Sequence, residues 1–199
     1  MSVVAVVPVK DLRETKSRLT PILDPAGRAG LTLYMMGRVV SALGNAEIED
    51  VCVVSPDWLV LKKAREKGAT ALRQRSQGLN PALEEGRRWA LDRGAGALLV
   101  MPADLPLLDA EDVRAVVSRG EEAPVVISPD ATRDGTNALL LRPPDLLPFT
   151  FGPGSFEAHR KSAEASSILV EVCERPHLAF DLDTKKDLAR FKAAEGLLP

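Results

Sequence analysis

Unbroken apolar runs alternate with amphipathic stretches along this chain. Residues 3–9 form an almost continuous run of β-branched side chains, which is typical of a parallel strand covered on both faces. Residues 25–43 instead place apolar side chains at intervals of four, which predicts a helix with one buried face. These side chains are Leu31, Met35, Val39 and Leu43. The change of pattern indicates a strand followed by a crossover helix.

The same alternation continues to the end of the chain. Short apolar runs predict further strands at 51–55, 69–72, 97–101, 125–128, 138–141, 170–172 and 178–180. Helical periodicity predicts helices at 58–67, 81–93, 109–119 and 185–194, and one that carries His159, Arg160 and Lys161. Asn80 stands directly before Pro81, a residue that suits the first turn of a helix, so we expect Asn80 to be the N-cap.

The spacing of the later strands adds an antiparallel element. The runs at 125–128 and 138–141 are too close for a helical crossover, and Asp134-Gly135 between them is a strong turn signal. No internal repeat or interdomain linker is visible, and a chain of this length buries roughly 70% of its unfolded surface as one domain. We therefore predict a single domain over residues 1–199, a three-layer α/β/α sandwich around a mostly parallel mixed sheet.

Composition and charge exclude several classes of function. The formal net charge is -2 and no long run of one sign occurs, so the basic surface of a nucleic-acid-binding protein is not expected. Cys52 and Cys173 lie inside apolar runs, which indicates buried thiols rather than a disulfide. The amino terminus has no basic region before its apolar run, and that run is too short to span a bilayer. These features predict a soluble cytoplasmic protein without a membrane partner.

The stretch ALLVMPADLPLL, residues 97–108, projects one carboxylate from the end of a buried strand. Pro102 and Pro106 fix the backbone on either side and leave the loop few conformations. Asp104 lies between them, at the carboxyl end of the strand, where ligands bind in open α/β sheets. A turn-capping role would place an aspartate here equally well.

A cluster of cations follows the first strand. Lys10, Arg13, Lys16 and Arg18 fall within nine residues, immediately after the predicted strand. Such clusters are usually solvated surface turns. Their place beside the end of the strand that carries Asp104 favours a site for an anion instead.

Two later loops carry further candidate residues. The segment FTFGPGS, residues 149–155, leads into a helix N-terminus, whose N–H groups and dipole favour an anion. Asp181 and Asp183 alternate along an extended segment, so only one of them is expected to face a site. Thr184 and Asp187 have the spacing of a capping box that starts the last helix.

Seven short motifs, which cover nearly the whole chain in order, resemble the guanylyltransferases of coenzyme F-420 biosynthesis. They are PVK at 8–10, KSRL at 16–19, LN at 79–80, ADLP at 103–106, DGTNAL at 134–139, FGPGS at 151–155 followed by His159-Arg160, and DLDT at 181–184. Enzymes of this family join GMP from GTP to 2-phospho-L-lactate or, in bacterial members, to phosphoenolpyruvate.

The resemblance implies a nucleotidyltransferase of the nucleotide-diphospho-sugar transferase, or GT-A-like, fold. That superfamily usually has a glycine-rich loop after its first strand, whereas this chain has no glycine between Val9 and Leu19. It has Lys10, Lys16 and Arg18 there, which agrees with the guanylyltransferases. The difference argues against sugar-nucleotide and molybdenum-cofactor relatives.

The resemblance also implies a role for each candidate residue. The implied Mg²⁺ ligands are Asp104 and Asp183. The implied catalytic residues are Lys10, Lys16, Arg18 and Asp104. The implied nucleotide-binding residues are Lys16, Arg18 and Asn80. The residues that fall where the family binds the phosphorylated three-carbon acid are Lys10, Thr136, Gly152 and Ser155.

This chemistry depends on positioning and electrostatics more than on a nucleophilic side chain. Attack of a substrate phosphate on the α-phosphorus of GTP brings two anions together, and Mg²⁺ held by carboxylates offsets their charge. The expected substrates are GTP and phosphoenolpyruvate, with 2-phospho-L-lactate as a competitor; the choice depends on the bacterial character of the Ala-, Arg- and Leu-rich composition. His159 could contact the acid beside Ser155, although a surface position on its helix is an equal expectation.

Two other hypotheses remain at this point. A nucleotide-binding regulator would need the triphosphate contacts but not a pair of carboxylates, so the presence of Asp104 and Asp183 favours an enzyme. Transfer to another acid such as 3-phosphoglycerate is not separated, because any of these acids would engage the same cations and loop amides. The quaternary state cannot be read from the sequence; a homodimer and a contact with the downstream transferase of the same pathway both stay open.

Overall fold

The computed structural model describes residues 2–48 and 50–196, in which six helices flank a sheet of seven strands. The strands are β1 (Val3–Pro8), β2 (Asp50–Ser55), β3 (Thr70–Arg73), β4 (Ala97–Val100), β5 (Val125–Pro129), β6 (Thr136–Leu141) and β7 (Val170–Val172). The helices are α1 (Pro25–Asn45), α2 (Trp58–Glu66), α3 (Leu79–Leu91), α4 (Ala110–Glu122), α5 (Ser155–Ala165) and α6 (Lys185–Ala194). A short 3-10 helix, Ser17–Leu19, lies between β1 and α1.

The strand order is β3-β2-β1-β4-β6-β5-β7, and only the two pairs that involve β6 are antiparallel. The connection between β5 and β6, residues 130–135, is too short for a crossover helix and reverses the chain instead. Asp130 closes this turn, because its N–H donates to the Gly135 carbonyl at 3.2 Å and its Oδ1 accepts from the Asp134 N–H at 3.0 Å. The predicted antiparallel element in a mostly parallel sheet is confirmed.

Helices cover both faces of the sheet, because successive residues of a strand point to opposite sides. Ala5 and Val7 of β1 belong to the core cluster that includes α1, α2 and α4, whereas Val4 and Val6 belong to the cluster that includes α3 and α5. A Cβ at Gly86 would lie 2.6 Å from Cγ1 of Val6, so glycine lets α3 approach β1 closely. The predicted α/β/α sandwich is confirmed.

Of the two helix caps predicted from the sequence, the capping box of Thr184 and Asp187 is confirmed. Asp109 and Asp112 form a capping box at the start of α4, and Thr184 and Asp187 form another at the start of α6. The expectation for Asn80 is wrong. Helix α3 begins two residues earlier than predicted, at Leu79, and its N-cap is Gly78, whose φ of 100° is a conformation that glycine adopts without strain.

Residues 178–180 do not form the predicted strand. Residues 178 and 179 belong to a turn, in which the Ala179 N–H donates to the Arg175 carbonyl at 2.9 Å and the Phe180 N–H to the His177 carbonyl at 3.3 Å. Leu178 is fully buried, which explains the apolar pattern. A short apolar run marks burial, and burial here comes from packing in the core cluster of α1, α2 and α4 rather than from strand pairing.

The cysteines agree with the expectation from the sequence. Cys52 and Cys173 are both buried free thiols. None of the described helices is long and apolar enough to cross a membrane.

Candidate active site

A cavity of about 730 Å³ opens at the carboxyl ends of the parallel strands. Lys10 enters it from the loop after β1, Gln74 from the loop after β3 and Asp104 from the loop after β4. The strand order reverses between β1 and β4, and crevices at such reversals are where open α/β sheets bind ligands. The cavity is therefore the candidate active site.

Two carboxylates meet one ammonium group in this cavity. Lys16 Nζ lies 3.0 Å from Asp104 Oδ2 and 2.8 Å from Asp183 Oδ1. The Lys16 side chain is only 7% exposed, so its charge is screened little by water. The structure thus brings together three of the residues predicted from the sequence, which come from segments far apart in the chain.

The environment of Lys16 keeps the ammonium charged. Burial alone would lower the pKa of Lys16, but the charges of Asp104 and Asp183 outweigh it and raise the pKa above its usual value. The Lys16 backbone has a φ of 50° and a ψ of 42°, a left-handed conformation that is uncommon for a residue with a side chain. The 3-10 helix that follows begins from this bend, so the local backbone sets the direction of the lysine.

The Asp181 carboxyl lies close enough to Asp104 and Asp183 for their charges to affect its pKa. Burial raises the pKa of Asp181 to about 6, and the negative charges of Asp104 and Asp183 add to the rise. Alternation along an extended segment predicted that only Asp181 or Asp183 would face the site. Of these two residues, Asp183 lines the cavity and Asp181 does not, which agrees with that expectation.

The other predicted cations are more exposed. Arg18 Nη1 lies 3.7 Å from Asp183 Oδ2, and its side chain is 73% exposed. Lys10 lines the cavity and is exposed as well. Arg13, which belongs to the same cluster in the sequence, pairs with Asp11 at 2.6 Å and does not line the cavity.

The wall opposite the charged residues is polar but carries few charges. It consists of the segment that joins β3 to α3, residues 74–79. Gln74 Nε2 donates to the carbonyls of Ser76 at 2.7 Å and Gly78 at 3.0 Å, which folds this segment into a compact loop. No site residue was predicted here except Asn80, although polar residues with a glycine after a strand were a signal.

Glu85 of α3 anchors this loop from behind. Its carboxylate accepts hydrogen bonds from the N–H groups of Arg75 at 3.0 Å and Ser76 at 2.7 Å, and from the Ser76 hydroxyl at 2.5 Å. Burial alone would raise the pKa of Glu85, but these hydrogen bonds outweigh it and hold the pKa below its usual value. Nothing in the sequence pattern distinguished Glu85 from a solvated helix residue.

Asn80 contacts another loop rather than the large cavity. Its Nδ2 donates to the Phe151 carbonyl at 3.1 Å, and its Oδ1 accepts from the Phe151 N–H at 2.8 Å. The amide therefore pairs with both main-chain groups of one residue. It fixes the FTFGPGS segment against the start of α3.

Thr136 and Ser155 lie together but are almost fully buried. The Ser155 hydroxyl donates to Thr136 Oγ1 at 3.2 Å, and the two residues are 1% and 5% exposed respectively. Gly152, with a φ of 136°, lies three residues before Ser155 and is exposed. Neither Thr136 nor Ser155 lines the cavity that contains Lys10. Phe151 does line it and lies between the cavity and this pair of hydroxyls.

His159 is fully buried, so the expected surface position on its helix is wrong. Its ring stands edge-on to Phe151 with centroids 4.9 Å apart. It also contacts Thr136 Oγ1 through Nδ1 at 3.1 Å. Helix α5 turns this histidine toward the sheet rather than toward solvent.

A second group of potential metal ligands lies at the start of α4. Asp109, Asp112 and His177 bring oxygen and nitrogen atoms within 4.8 Å of one another. Arg175 Nε already donates to the buried Asp112 carboxylate at 2.9 Å, and His177 Nδ1 lies 3.0 Å from its other oxygen. We assign this cluster to holding the segment that leads to Asp181, because none of its three residues lines the cavity.

The Asp104 and Asp183 pair fits a hard divalent cation better. Both carboxylates turn an oxygen toward one point, which the Lys16 ammonium occupies from the side. Mg²⁺ favours oxygen ligands and is commonly held by one or two carboxylates together with substrate phosphates. The cavity beside them leaves room for such phosphates.

The fold and this arrangement of charges define a class of proteins. A structure described as that of a nucleotide-diphospho-sugar transferase from Desulfovibrio desulfuricans G20 matches the chain with a TM-score of 0.80 and 16% identity, over 98% of this chain and 88% of the other. The predicted nucleotide-diphospho-sugar transferase fold is confirmed, and the protein is a nucleotidyltransferase. Residues 3–192 match the family described as guanylyl transferase CofC like, and the chain belongs to that family.

Curated relatives carry two names. The chain is 61% identical to the phosphoenolpyruvate guanylyltransferase of Rubrobacter xylanophilus, over 99% of this chain and 97% of the relative. It is 33% identical to the 3-phospho-D-glycerate guanylyltransferase of Colwellia psychrerythraea, over 92% of this chain and 88% of the relative. The family resemblance inferred from seven short motifs is therefore confirmed.

Proposed function

We propose that the protein transfers the GMP group of GTP to the phosphate of phosphoenolpyruvate and releases pyrophosphate, as a step of coenzyme F-420 biosynthesis. The observation that carries this proposal is the convergence of Asp104, Asp183 and Lys16 at one end of the cavity. The name and 61% identity of the Rubrobacter xylanophilus relative support the choice of acceptor. The Mg²⁺ ion is part of the proposal.

The reaction joins one oxygen to one phosphorus. A phosphate oxygen of the acid attacks the α-phosphorus of GTP, and the bond from that phosphorus to pyrophosphate breaks as the new bond forms. Both reactants are anions, so the protein must supply positive charge where they meet. When bound between Asp104 and Asp183, Mg²⁺ supplies such charge and aligns phosphate oxygens.

The charges of the cavity orient the nucleotide. Lys16 and Arg18 stand beside the acidic pair, so the triphosphate lies at that end. The guanine then reaches the loop of residues 74–79, whose amide, hydroxyl and main-chain groups suit the edge of a base. Asn80 contributes by fixing Phe151 against the start of α3 rather than by a direct contact with the nucleotide.

The acid occupies the other side of the triphosphate. Lys10 offers one ammonium group in the cavity, and Thr136, Gly152 and Ser155 form a polar corner behind Phe151. The N–H groups of Ser155 and Phe156 already donate to the carbonyls of Gly152 and Asp134, both at 3.1 Å. The hydroxyls, rather than these two amides, are therefore the donors that this corner offers to an anion.

A pyrophosphate-release assay tests the proposal. Purified protein with Mg²⁺ is supplied with each of the four nucleoside triphosphates and each of three acids, and the products are identified by mass spectrometry. We expect GTP and phosphoenolpyruvate to be the preferred pair, with 2-phospho-L-lactate as a weaker acceptor. A preference for CTP or UTP, or a product that contains only guanylylated 3-phosphoglycerate, would overturn it.

The 3-phosphoglycerate reaction is the second candidate, and the Colwellia psychrerythraea relative favours it. The same assay separates the two acids directly. A non-catalytic regulator is the third reading; it would bind GTP in this cavity without releasing pyrophosphate from any of the acids.

A further inference from the structure

His159 has a defined pair of hydrogen-bonding partners inside the protein. Its Nε2 lies 3.1 Å from the main-chain nitrogen of Thr150, which can only donate. Nε2 must therefore accept that hydrogen bond and carries no proton. Burial lowers the pKa of His159 to about 4, so the ring is neutral near pH 7 and its single proton is on Nδ1.

This tautomer fixes the direction of the next hydrogen bond. Nδ1 lies 3.1 Å from Thr136 Oγ1, so the ring donates and the threonine oxygen accepts. Thr136 cannot direct its own hydroxyl hydrogen to the histidine, because the nitrogen there already carries a proton. The histidine thereby decides which groups the threonine hydroxyl can contact.

Counting hydrogens shows what is left over. Thr136 and Ser155 have one hydroxyl hydrogen each, and the 3.2 Å contact between their oxygens uses one of them. The second hydrogen has to find an acceptor outside the pair. In this buried pair, one hydroxyl hydrogen remains to be donated and no cation is available. Such a pair can bind one oxygen of an anionic ligand by a hydrogen bond.

Phe151 connects the cluster of His159, Thr136 and Ser155 to the cavity. Phe151 lines the cavity, and its ring contacts His159 from the cluster side. Helix α5 begins at Ser155, so its N-terminus faces the same corner and favours negative charge.

We propose that His159 is a positioning residue, which leaves one hydroxyl hydrogen of the Thr136 and Ser155 pair free to donate to the anionic acceptor acid. The role assigned to these hydroxyls rests on the proposed function. The histidine itself does not touch the substrate.

Two substitutions test the roles of Nδ1 and Nε2 of His159 separately. The side-chain amide of asparagine reaches roughly the place of Nδ1 and retains a donor toward Thr136. The longer side chain of glutamine reaches roughly the place of Nε2 and retains only an acceptor for the Thr150 N–H. We expect His159→Asn to keep the KM for the acid within about threefold of the native value, whereas His159→Gln raises it about tenfold or more, the size of losing a hydrogen bond to a charged group.

The KM for GTP is the internal control for these variants. It should change little in either of them, since the guanine and triphosphate contacts are elsewhere in the cavity. Equal effects of the two substitutions on the acid, or equal effects on acid and GTP, would overturn the proposal. If His159→Gln does not fold, Thr136→Val and Thr136→Ser test the same donor, and only the valine variant should lose affinity for the acid.

The tautomer of His159 can be measured without an activity assay. The protein has only two histidines, so nitrogen-15 NMR of the imidazole rings, with His177→Gln to assign the signals, identifies which nitrogen of His159 is protonated. A proton on Nδ1 is expected, and a proton on Nε2 would overturn the proposal. The KM comparison uses whichever acid the native protein converts, so an incorrect acceptor leaves this test intact. If no acid is converted, the proposed function fails, while the NMR result and the binding of each acid to native protein and His159→Gln still decide the inference.

Discussion

The main-chain N–H of Leu182 donates to the carbonyl oxygen of Asp104 at 3.1 Å, and this bond joins the two segments that carry the acidic pair. Asp183 follows directly, so a backbone contact sets how far its carboxylate stands from that of Asp104. The pair is therefore held by the fold as well as by the ammonium of Lys16. A preformed pair of this kind costs little reorganisation when a cation binds.

The first prediction concerns these carboxylates. Asp104→Asn and Asp183→Asn should each lower kcat/KM by about two to three orders of magnitude, because each removes a main electrostatic contribution to binding Mg²⁺ and the triphosphate. Steady-state pyrophosphate release measures the loss, and circular dichroism checks that the variants fold. Asp92→Asn at the end of α3 is the matched control and should keep native activity. Near-normal turnover in Asp183→Asn would assign the second carboxylate to Asp181.

The second prediction separates the two cations of one loop. Arg18 lies beside Asp183 and faces the proposed triphosphate site, so Arg18→Ala should weaken GTP binding by about tenfold. Binding of the acid should change much less, and calorimetric titration of each ligand measures both. Arg13→Ala is the control, since Arg13 pairs with Asp11 and does not itself line the cavity. Equal weakening for both ligands, or none, would contradict the role given to Arg18.

The architecture could be predicted because each strand and helix carries its own pattern. The β-branched run of β1, the four-residue intervals of α1 and the short link between β5 and β6 each specify one structural choice. The apolar run at 178–180 was misassigned because burial alone does not distinguish a strand from a packed turn. Boundaries such as the start of α3 depend on a glycine conformation that periodicity does not report.

The site could be predicted only where a motif carried its chemistry. Asp104, Lys16 and Asp183 converge, although nothing local shows that an ammonium would stand between the two carboxylates. Glu85 was missed because its role arises from the fold, which places α3 behind the loop of residues 74–79. A surface position was one of two expectations for His159, because the residues that bury its ring, such as Thr136 and Phe151, come from other segments of the chain.

The third prediction concerns base selectivity. Glu85→Ala removes the acceptor that holds the N–H groups of Arg75 and Ser76, so the loop proposed to contact guanine loses its anchor. We expect the preference for GTP over ITP and ATP, measured as a ratio of kcat/KM values, to fall about tenfold. The KM for the acid should stay near the native value.

A control distinguishes this effect from general destabilisation. Glu84→Gln alters the neighbouring carboxylate, which pairs with Arg87 at 3.0 Å and does not contact the loop. It should retain native base selectivity. A variant at Glu85 that is less stable but equally selective would refute the proposed role of the loop.

The last prediction uses pH to test the buried state of His159. Burial lowers the pKa of His159 to about 4, whereas an unfolded chain binds this proton near pH 6.5. Between these values the unfolded state binds more protons, so the contribution of His159 to stability is complete above pH 6.5 and is lost as the pH falls toward 4. The loss amounts to about 3 kcal/mol at most.

Urea unfolding at pH 7.5 and pH 5.0 measures this loss of stability, because other groups titrate equally in native protein and His159→Asn. Native protein should lose more stability than the variant over this interval. The same loss in native protein and His159→Asn would show that the imidazole is not held neutral by burial.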